Sequence, residues 1–307
     1  LATGAREAAP REYLYGSHRG VLTQSELEEK IGSGGLAGAQ NVVMIQCVGS
    51  REEGRPYCSR VCCSHAVKNA LKIKELNPAA NVYVLYRDLR VYGLREKYYT
   101  EARRKGVIFI RYTPEDRPVV RESGDGLEVS VTDPVLGQRL VLGADLLVLS
   151  SGVAPGEDNE SLSRLFKVPL NADGFFLEAH LKLRPVDFSA DGLYLCGLAH
   201  SPKLAGESIL QANAAAMRAV TLLGRDRLEN VAITALVDKR RCKGCGVCVK
   251  VCGYNAREIS PVDRVALVAG ALCQGCGACV AACPSSASRQ HGFEKIQIMA
   301  ALGALTG

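Results

Sequence analysis

The chain has 307 residues, 47% of them apolar, which suits about two folded domains and excludes a disordered polypeptide. No apolar run reaches the ~18–20 residues that cross a bilayer, so no membrane span is expected. The formal net charge is +6, but no Lys/Arg block is interleaved with aromatics and tryptophan is absent, so no nucleic-acid partner is expected.

In chain order, the opening residues through Gly4 read as the tail of a strand. The glycine run from Gly32 to Gly38 follows no strand and reads as a flexible loop. Residues 41–46 form an apolar run fit for a buried strand. From Cys62 to Leu76, the positions Ala66, Ala70, Ile73 and Leu76 share a helical face, and Asn77-Pro78 stops that helix. Asn81–Tyr86 is the next strand, followed by a helix near Glu96–Lys105 and a strand over Val107–Tyr112. This β-α-β-α-β order predicts a parallel sheet with helices on its faces. Beyond Pro114 the period becomes two, and Leu127–Thr132 with Arg139–Leu142 predict an antiparallel pair. Leu146–Ser150 reads as a buried strand ending at Ser151-Gly152, and Leu193–Cys196 as another ending at Gly197. A helix rich in small residues follows, about Ser208–Leu223, and residues 224–241 read as a charged linker.

Thirteen cysteines fall into a C-terminal set of eight, an N-terminal set of four, and Cys196 alone. Tight CxxC repeats without a secretory signal point to metal ligands in a reducing compartment. Cys242, Cys245, Cys248 and Cys252 make one C-x2-C-x2-C-x3-C run, and Cys273, Cys276, Cys279 and Cys283 make a second. This is the bacterial two-cluster ferredoxin pattern, in which the fourth cysteine of each run ligates the other run's cluster. One [4Fe–4S] cluster is therefore expected on Cys242, Cys245, Cys248 and Cys283, and another on Cys273, Cys276, Cys279 and Cys252. Glycines at 244, 246, 275 and 277 let the backbone turn tightly and bring N–H groups towards the sulfurs. A zinc site would need two CxxC pairs instead of four-cysteine runs. Pro284 follows the second run and Gly253 replaces proline after the first, a departure that removes no ligand.

The N-terminal set, Cys47, Cys58, Cys62 and Cys63, spans a strand end and a helix start, so the four can converge on one cube. A third [4Fe–4S] cluster is expected there, with a redox disulfide or buried structural cysteines as the alternatives. Cys196 reads as a small buried apolar residue. Each oxidised cluster with its thiolates carries roughly −2, so three would bring the +6 chain close to neutrality.

Ala2-Thr3-Gly4, the turn at Gly152-Val153-Ala154-Pro155, and Gly192 to Gly197 running into a helix each place a glycine where a strand ends. Their order resembles the two-dinucleotide-binding-domain flavoproteins of the thioredoxin reductase type. That family's phosphate loop is expected before residue 1, supplied by a missing segment or another polypeptide. Longer stretches resemble the HdrA family, the iron–sulfur flavoprotein component of heterodisulfide reductase. They are Gln46 to Arg51, Pro56 to Cys63, Gly174 to Pro185, and Gly197 to Lys203 with Glu207-Ser208 and Gln211-Ala212. The expected fold is thus α/β, a partial thioredoxin-reductase-like domain with an inserted α/β domain, then an α+β bacterial ferredoxin domain. The expected boundaries are 1–40 for the end of the flavin domain, 41–150 for the insertion, 151–228 for the flavin domain's return, and 229–307 for the ferredoxin domain.

The resemblance implies FAD, with Thr3, Gly4, Gly152, Gly197, Lys203, Ser208 and Gln211 as contacts and Lys203 near the isoalloxazine. It also implies an anaerobic, cytoplasmic oxidoreductase component that supports flavin-based electron bifurcation. The implied partners are a hydrogenase or formate dehydrogenase module with its delta-like subunit, ferredoxin, and disulfide-reducing components like heterodisulfide reductase B and C. Alternatives are an electron-transfer component of a benzoyl-CoA reductase or quinone-interacting complex, or a ferredoxin-like adaptor without flavin. Glu178, His180 and Arg184 carry no assigned role.

Overall fold

Four consecutive buried residues in Asn41–Ile45 fit a strand covered on both faces, and that strand is central in the computed structural model. The structure describes residues 1–36, 38–124, 126–226 and 233–306. Two units are distinguished. The first holds residues 1–159, 170–176 and 195–213, and the second holds 160–169, 177–194 and 214–307.

The first unit opens with β1 (Ala5–Glu7), β2 (Val21–Thr23) and α1 (Gln24–Gly32). Thr23 starts α1 by accepting from the Glu26 amide while the Glu26 carboxylate accepts from the Thr23 amide. Next come β3 (Asn41–Ile45), α2 (Cys62–Leu76), β4 (Asn81–Tyr86), α3 (Glu96–Arg104) and β5 (Ile108–Arg111). Then follow β6 (Val119–Ser123), β7 (Gly126–Asp133), β8 (Gln138–Ala144), β9 (Leu146–Leu149) and β10 (Val153–Pro155). A parallel five-stranded sheet runs in the order β2-β9-β3-β4-β5. β1 pairs antiparallel with β10, so the chain enters and leaves this sheet through one short ribbon.

The sheet is parallel as expected, but helices cover only one of its faces. Val42, Met44, Val82 and Val84 pack with Ala66, Val67, Ala70 and Ile73 of α2. Truncating Ile73 to alanine costs about 2–5 kcal/mol for such a site. Val43, Ile45 and Leu85 instead pack with Leu127, Val129 and Val131 of β7. β6, β7 and β8 form a three-stranded antiparallel sheet, and the alternating buried residues of β7 form its packed face. Leu76, expected on the buried side of α2, is exposed at the helix end.

β2 joins the parallel sheet beside β9, although Val21–Thr23 lies ahead of position 41. Gly32 closes α1 and is not part of a loop; Ala37 lies outside the described residues. Leu193–Cys196 is not a strand: it makes one isolated bridge, Tyr194 to Asp187, although Leu195 is fully buried.

α4 (Asn159–Phe166) follows, and α5 (Ala205–Leu223) contributes residues to both units. The remainder of the second unit is β11 (Ala235–Val237), α6 (Val247–Lys250), β12 (Arg257–Ile259), β13 (Ala266–Val268), α7 (Ala278–Ala281), β14 (Ser288–Gln290) and α8 (Lys295–Thr306). β11 pairs with β14 and β12 with β13, both antiparallel. The expected linker 224–241 therefore contains a strand, and its residues 227–232 lie outside the described ones. No described helix is long and apolar enough to cross a membrane.

Candidate cluster and flavin sites

The second unit carries a near-duplicate built on a 31-residue offset, as between 242 and 273 or 235 and 266. Cys242 Sγ accepts from the Ala266 amide at 3.3 Å, and Cys273 Sγ accepts from the Ala235 amide at 3.3 Å. Each first cysteine is thus held by a strand of the other repeat. Gly244 and Gly275 both have positive φ, and a Cβ there would run into the carbonyl oxygens of Arg264 and Ile233 respectively. Only glycine lets the loop lie this close to the opposite repeat. α6 and α7 then carry Cys248 and Cys279 into the core beside Cys242, Cys252 and Cys273.

Cys252, the last cysteine of the first run, lines one cavity with Cys273, Cys276 and Cys279 of the second. This is the grouping expected for crossed ligation. Cys242, Cys245 and Cys248 hold the equivalent positions of the first repeat, and Cys283 is the equivalent of Cys252. Burial opposes ionisation of Cys283, but N–H groups of Ser288, Ser285 and Ala287 and the Ser285 hydroxyl bring its thiol down to about 7. Burial raises the Cys279 thiol, against the pull of the Arg257 guanidinium. Arg257 is buried on the same cavity and was not singled out in the sequence; the signal available was an arginine where the second repeat has Ser288. Among the described residues no three His, Cys, Asp or Glu side chains gather around a point suited to a single metal ion. A cubane spreads its four thiolates over a wider body.

In the first unit, Cys47 follows β3 with φ of 60°, and Cys62 and Cys63 open α2. Burial pushes the Cys62 thiol up to about 12 and Cys63 up to about 11, and repulsion from Cys47 and Cys58 adds to both. Burial also raises Cys47, while Arg51, 4.0 Å from its sulfur, pulls the other way. The four thiols therefore sense one another's charge. Four thiolates share such a site only when a cationic core offsets their repulsion and desolvation, which fits a cluster. All thirteen cysteines are free thiols.

Side-chain bonds tie this cysteine loop to the segment after β9. Arg55 donates to the Ser151 carbonyl, Tyr57 Oη to the Val153 carbonyl at 2.9 Å, and the Val153 amide to Ser59 Oγ at 2.8 Å. A Cβ at Gly152 would lie 2.6 Å from Ser59 Oγ, so this glycine is required by packing against the cysteine loop. Cys62, Gly152 and Leu198 line a common cavity of about 180 Å³.

Three of the expected flavin residues converge. The Gly197 amide donates to Gln211 Oε1 at 2.8 Å, and Lys203 Nζ donates to the Gly197 carbonyl at 2.8 Å. Lys203 is only 8% exposed. His200 Nδ1 lies 3.2 Å from Lys203 Nζ and 2.8 Å from Gln211 Nε2, placing it at the centre of the group. Ser208 stands on α5, where its amide bonds the Leu204 carbonyl. Thr3 and Gly4 precede β1, and the Leu1 carbonyl accepts from the Cys196 amide at 3.1 Å, next to Gly197. Cys196 itself is half-buried. Arg60, with φ of 62°, pairs with Glu207 at 2.5 Å and with Tyr92 Oη at 2.8 Å, a link the sequence left unmarked. In the second unit His180 Nδ1 accepts from the amides of Lys182 and Leu183, a turn-forming role.

Residues 234–284 match the family model of the 4Fe-4S dicluster domain. The HdrA-type iron-sulfur component of the CoB–CoM heterodisulfide reductase of Methanocaldococcus jannaschii is 40% identical over 80% of this chain and 39% of its own length. The corresponding component of the ferredoxin:CoB-CoM heterodisulfide reductase of Methanosarcina mazei is 41% identical over 96% of this chain and 39% of its own. That of the H(2):CoB-CoM heterodisulfide,ferredoxin reductase of Methanothermobacter marburgensis is 41% identical over 84% of this chain and 42% of its own. The chain is thus similar along most of its length to the HdrA component of heterodisulfide reductases, spans about two fifths of those relatives, and carries a 4Fe-4S dicluster domain.

Proposed function

We propose that this chain is an electron-transfer part of a heterodisulfide-reductase-like oxidoreductase and holds three [4Fe–4S] clusters beside a flavin site. The observation that carries this is the meeting of Cys252 with Cys273, Cys276 and Cys279 across two cysteine runs. Cys242, Cys245, Cys248 and Cys283 hold the second cluster, and Cys47, Cys58, Cys62 and Cys63 the third.

Clusters pass single electrons, and a flavin takes two and releases them singly. The protein's part is positioning. Amides of Ala235, Ala266 and Ser288 donate to the sulfurs of Cys273, Cys242 and Cys283. Lys203, buried against Gly197 and His200, holds a positive charge where an anionic flavin ring would be stabilised. Thr3, Gly4, Gly152, Gly197, Ser208 and Gln211 are the other residues assigned to the flavin in this reading, and Cys62 shares a cavity with Gly152.

In this role the chain serves a cytoplasmic, anaerobic complex with ferredoxin, a hydrogenase or formate dehydrogenase module and disulfide-reducing components, and supports electron bifurcation. Anaerobic isolation of the complex from its source, with identification of its polypeptides and flavin extraction, tests this. Bound FAD together with such partners is expected. A complex without FAD contradicts the flavin role and leaves a ferredoxin-like adaptor. Partners drawn from a benzoyl-CoA reductase or a quinone-interacting complex contradict the assignment to disulfide reduction.

A further inference from the structure

Arg257 opens β12 and is 4% exposed. Its Nη2 donates to Ser288 Oγ, while Nε and Nη1 are buried with no partner among the described residues. A buried guanidinium with two idle donors is strongly disfavoured unless a negative group faces it. Among the described residues, the cavity that Arg257 lines contains no carboxylate; its polar lining is Cys252, Cys273, Cys276 and Cys279 with Tyr254 and two glutamines. A water molecule there would accept hydrogen bonds but bring no charge. The group that satisfies both demands is a cluster whose sulfurs accept hydrogen bonds and whose net charge is negative.

The duplicated architecture supplies a control inside one molecule. The residue 31 positions after Arg257 is Ser288, which has a hydroxyl and no charge. Its amide donates to Cys283 Sγ at 3.5 Å, a ligand assigned to the other cluster. The two repeats thus share their loops, helices and amide donors, and at this position only the first carries an arginine.

We propose that Arg257 sets the order of the two ferredoxin-domain potentials. Its Nε and Nη1 donate to sulfur atoms of the cluster held by Cys252, Cys273, Cys276 and Cys279. Reduction adds one electron from a low-potential one-electron donor and takes that cluster with its thiolates from roughly −2 to −3. A fixed positive charge in a low-dielectric wall stabilises the more negative form. This cluster therefore has the higher potential of the pair, and an electron reaching the domain rests on it.

Arg257 has this role only if those four cysteines share a cluster. Failure of that ligand assignment shows as Cys252→Ser and Cys273→Ser losing different resonances, or as missing iron in the wild-type chain. Failure of the arginine's role shows as full iron with an unchanged potential. The experiment is an anaerobic dithionite titration of the full chain, followed by electron paramagnetic resonance and checked by iron content. Two separated one-electron steps are expected from the ferredoxin domain. In Arg257→Gln the upper step falls so that the reduced-to-oxidised ratio at a fixed potential drops at least about tenfold, or about 59 mV for one electron. The lower step keeps its place. An unmoved upper step, or equal movement of both, overturns the proposal. Should Arg257→Gln lose iron, Arg257→Lys decides: two steps in the wild-type order support the charge, and an upper step fallen to the lower one overturns it.

Discussion

The backbone amide of Ala266 lies 3.3 Å from Cys242 Sγ, and the residue 31 positions earlier, Ala235, makes the same bond to Cys273. The repeats thereby hold each other's first cysteine. Crossed ligation predicts that Cys252→Ser damages the cluster on Cys273, Cys276 and Cys279. About four irons should be lost, and the resonance titrating at the higher potential should go with them. Loss of the lower-potential signal instead would mean that each run ligates its own cluster. Titration of the variant beside the wild type distinguishes the two.

Gly244 and Gly246 both have positive φ, but only Gly244 faces a carbonyl, that of Arg264. Gly246→Ala should cost about 1–2 kcal/mol for the left-handed backbone. Gly244→Ala adds a clash that the opposite repeat must relieve by moving, so it should also shed the first-repeat cluster. Iron retention after mild denaturant under anaerobic conditions separates the variants. Equal retention would remove the packing explanation.

The Glu207 carboxylate accepts from the Leu204 amide at 2.7 Å and pairs with Arg60. The amide, ahead of Arg60, holds its carboxyl below the ordinary glutamate range despite partial burial. A depressed folded pKa means stabilisation that is complete above the unfolded value and lost as pH falls through the folded one. Glu207→Gln should cost about 1 kcal/mol at neutral pH, a modest value because both side chains are more than a third exposed. The difference in melting temperature between variant and wild type should shrink as pH falls below the ordinary glutamate pKa. A difference independent of pH would assign the effect to packing.

The grouping of Cys252 with Cys273, Cys276 and Cys279 was legible in the cysteine spacing: Cys252 and Cys279 line one cavity although 27 positions (252 to 279) separate them. The parallel strands were legible because Val42 to Ile45 and Leu146 to Leu149 are buried on both faces and leave unbroken apolar runs. β6 was not, since Val119–Ser123 is largely exposed and shows no alternation. Leu193–Cys196 misled because Leu195 is buried by tertiary packing without a ladder partner. Arg257 escaped notice because its meaning lies in two unpaired nitrogens facing a cavity, which no spacing encodes. The Arg60–Glu207 pair escaped for a similar reason, joining residues 147 positions apart.

The N-terminal cysteine set is the element that distinguishes a three-cluster relay from a plain ferredoxin. Iron and acid-labile sulfide determination on the anaerobically purified chain, alongside Cys58→Ala, measures it directly. The wild type should hold about twelve irons and the variant about eight, with both ferredoxin-domain signals intact. About eight irons in both would contradict a cluster at Cys47, Cys58, Cys62 and Cys63.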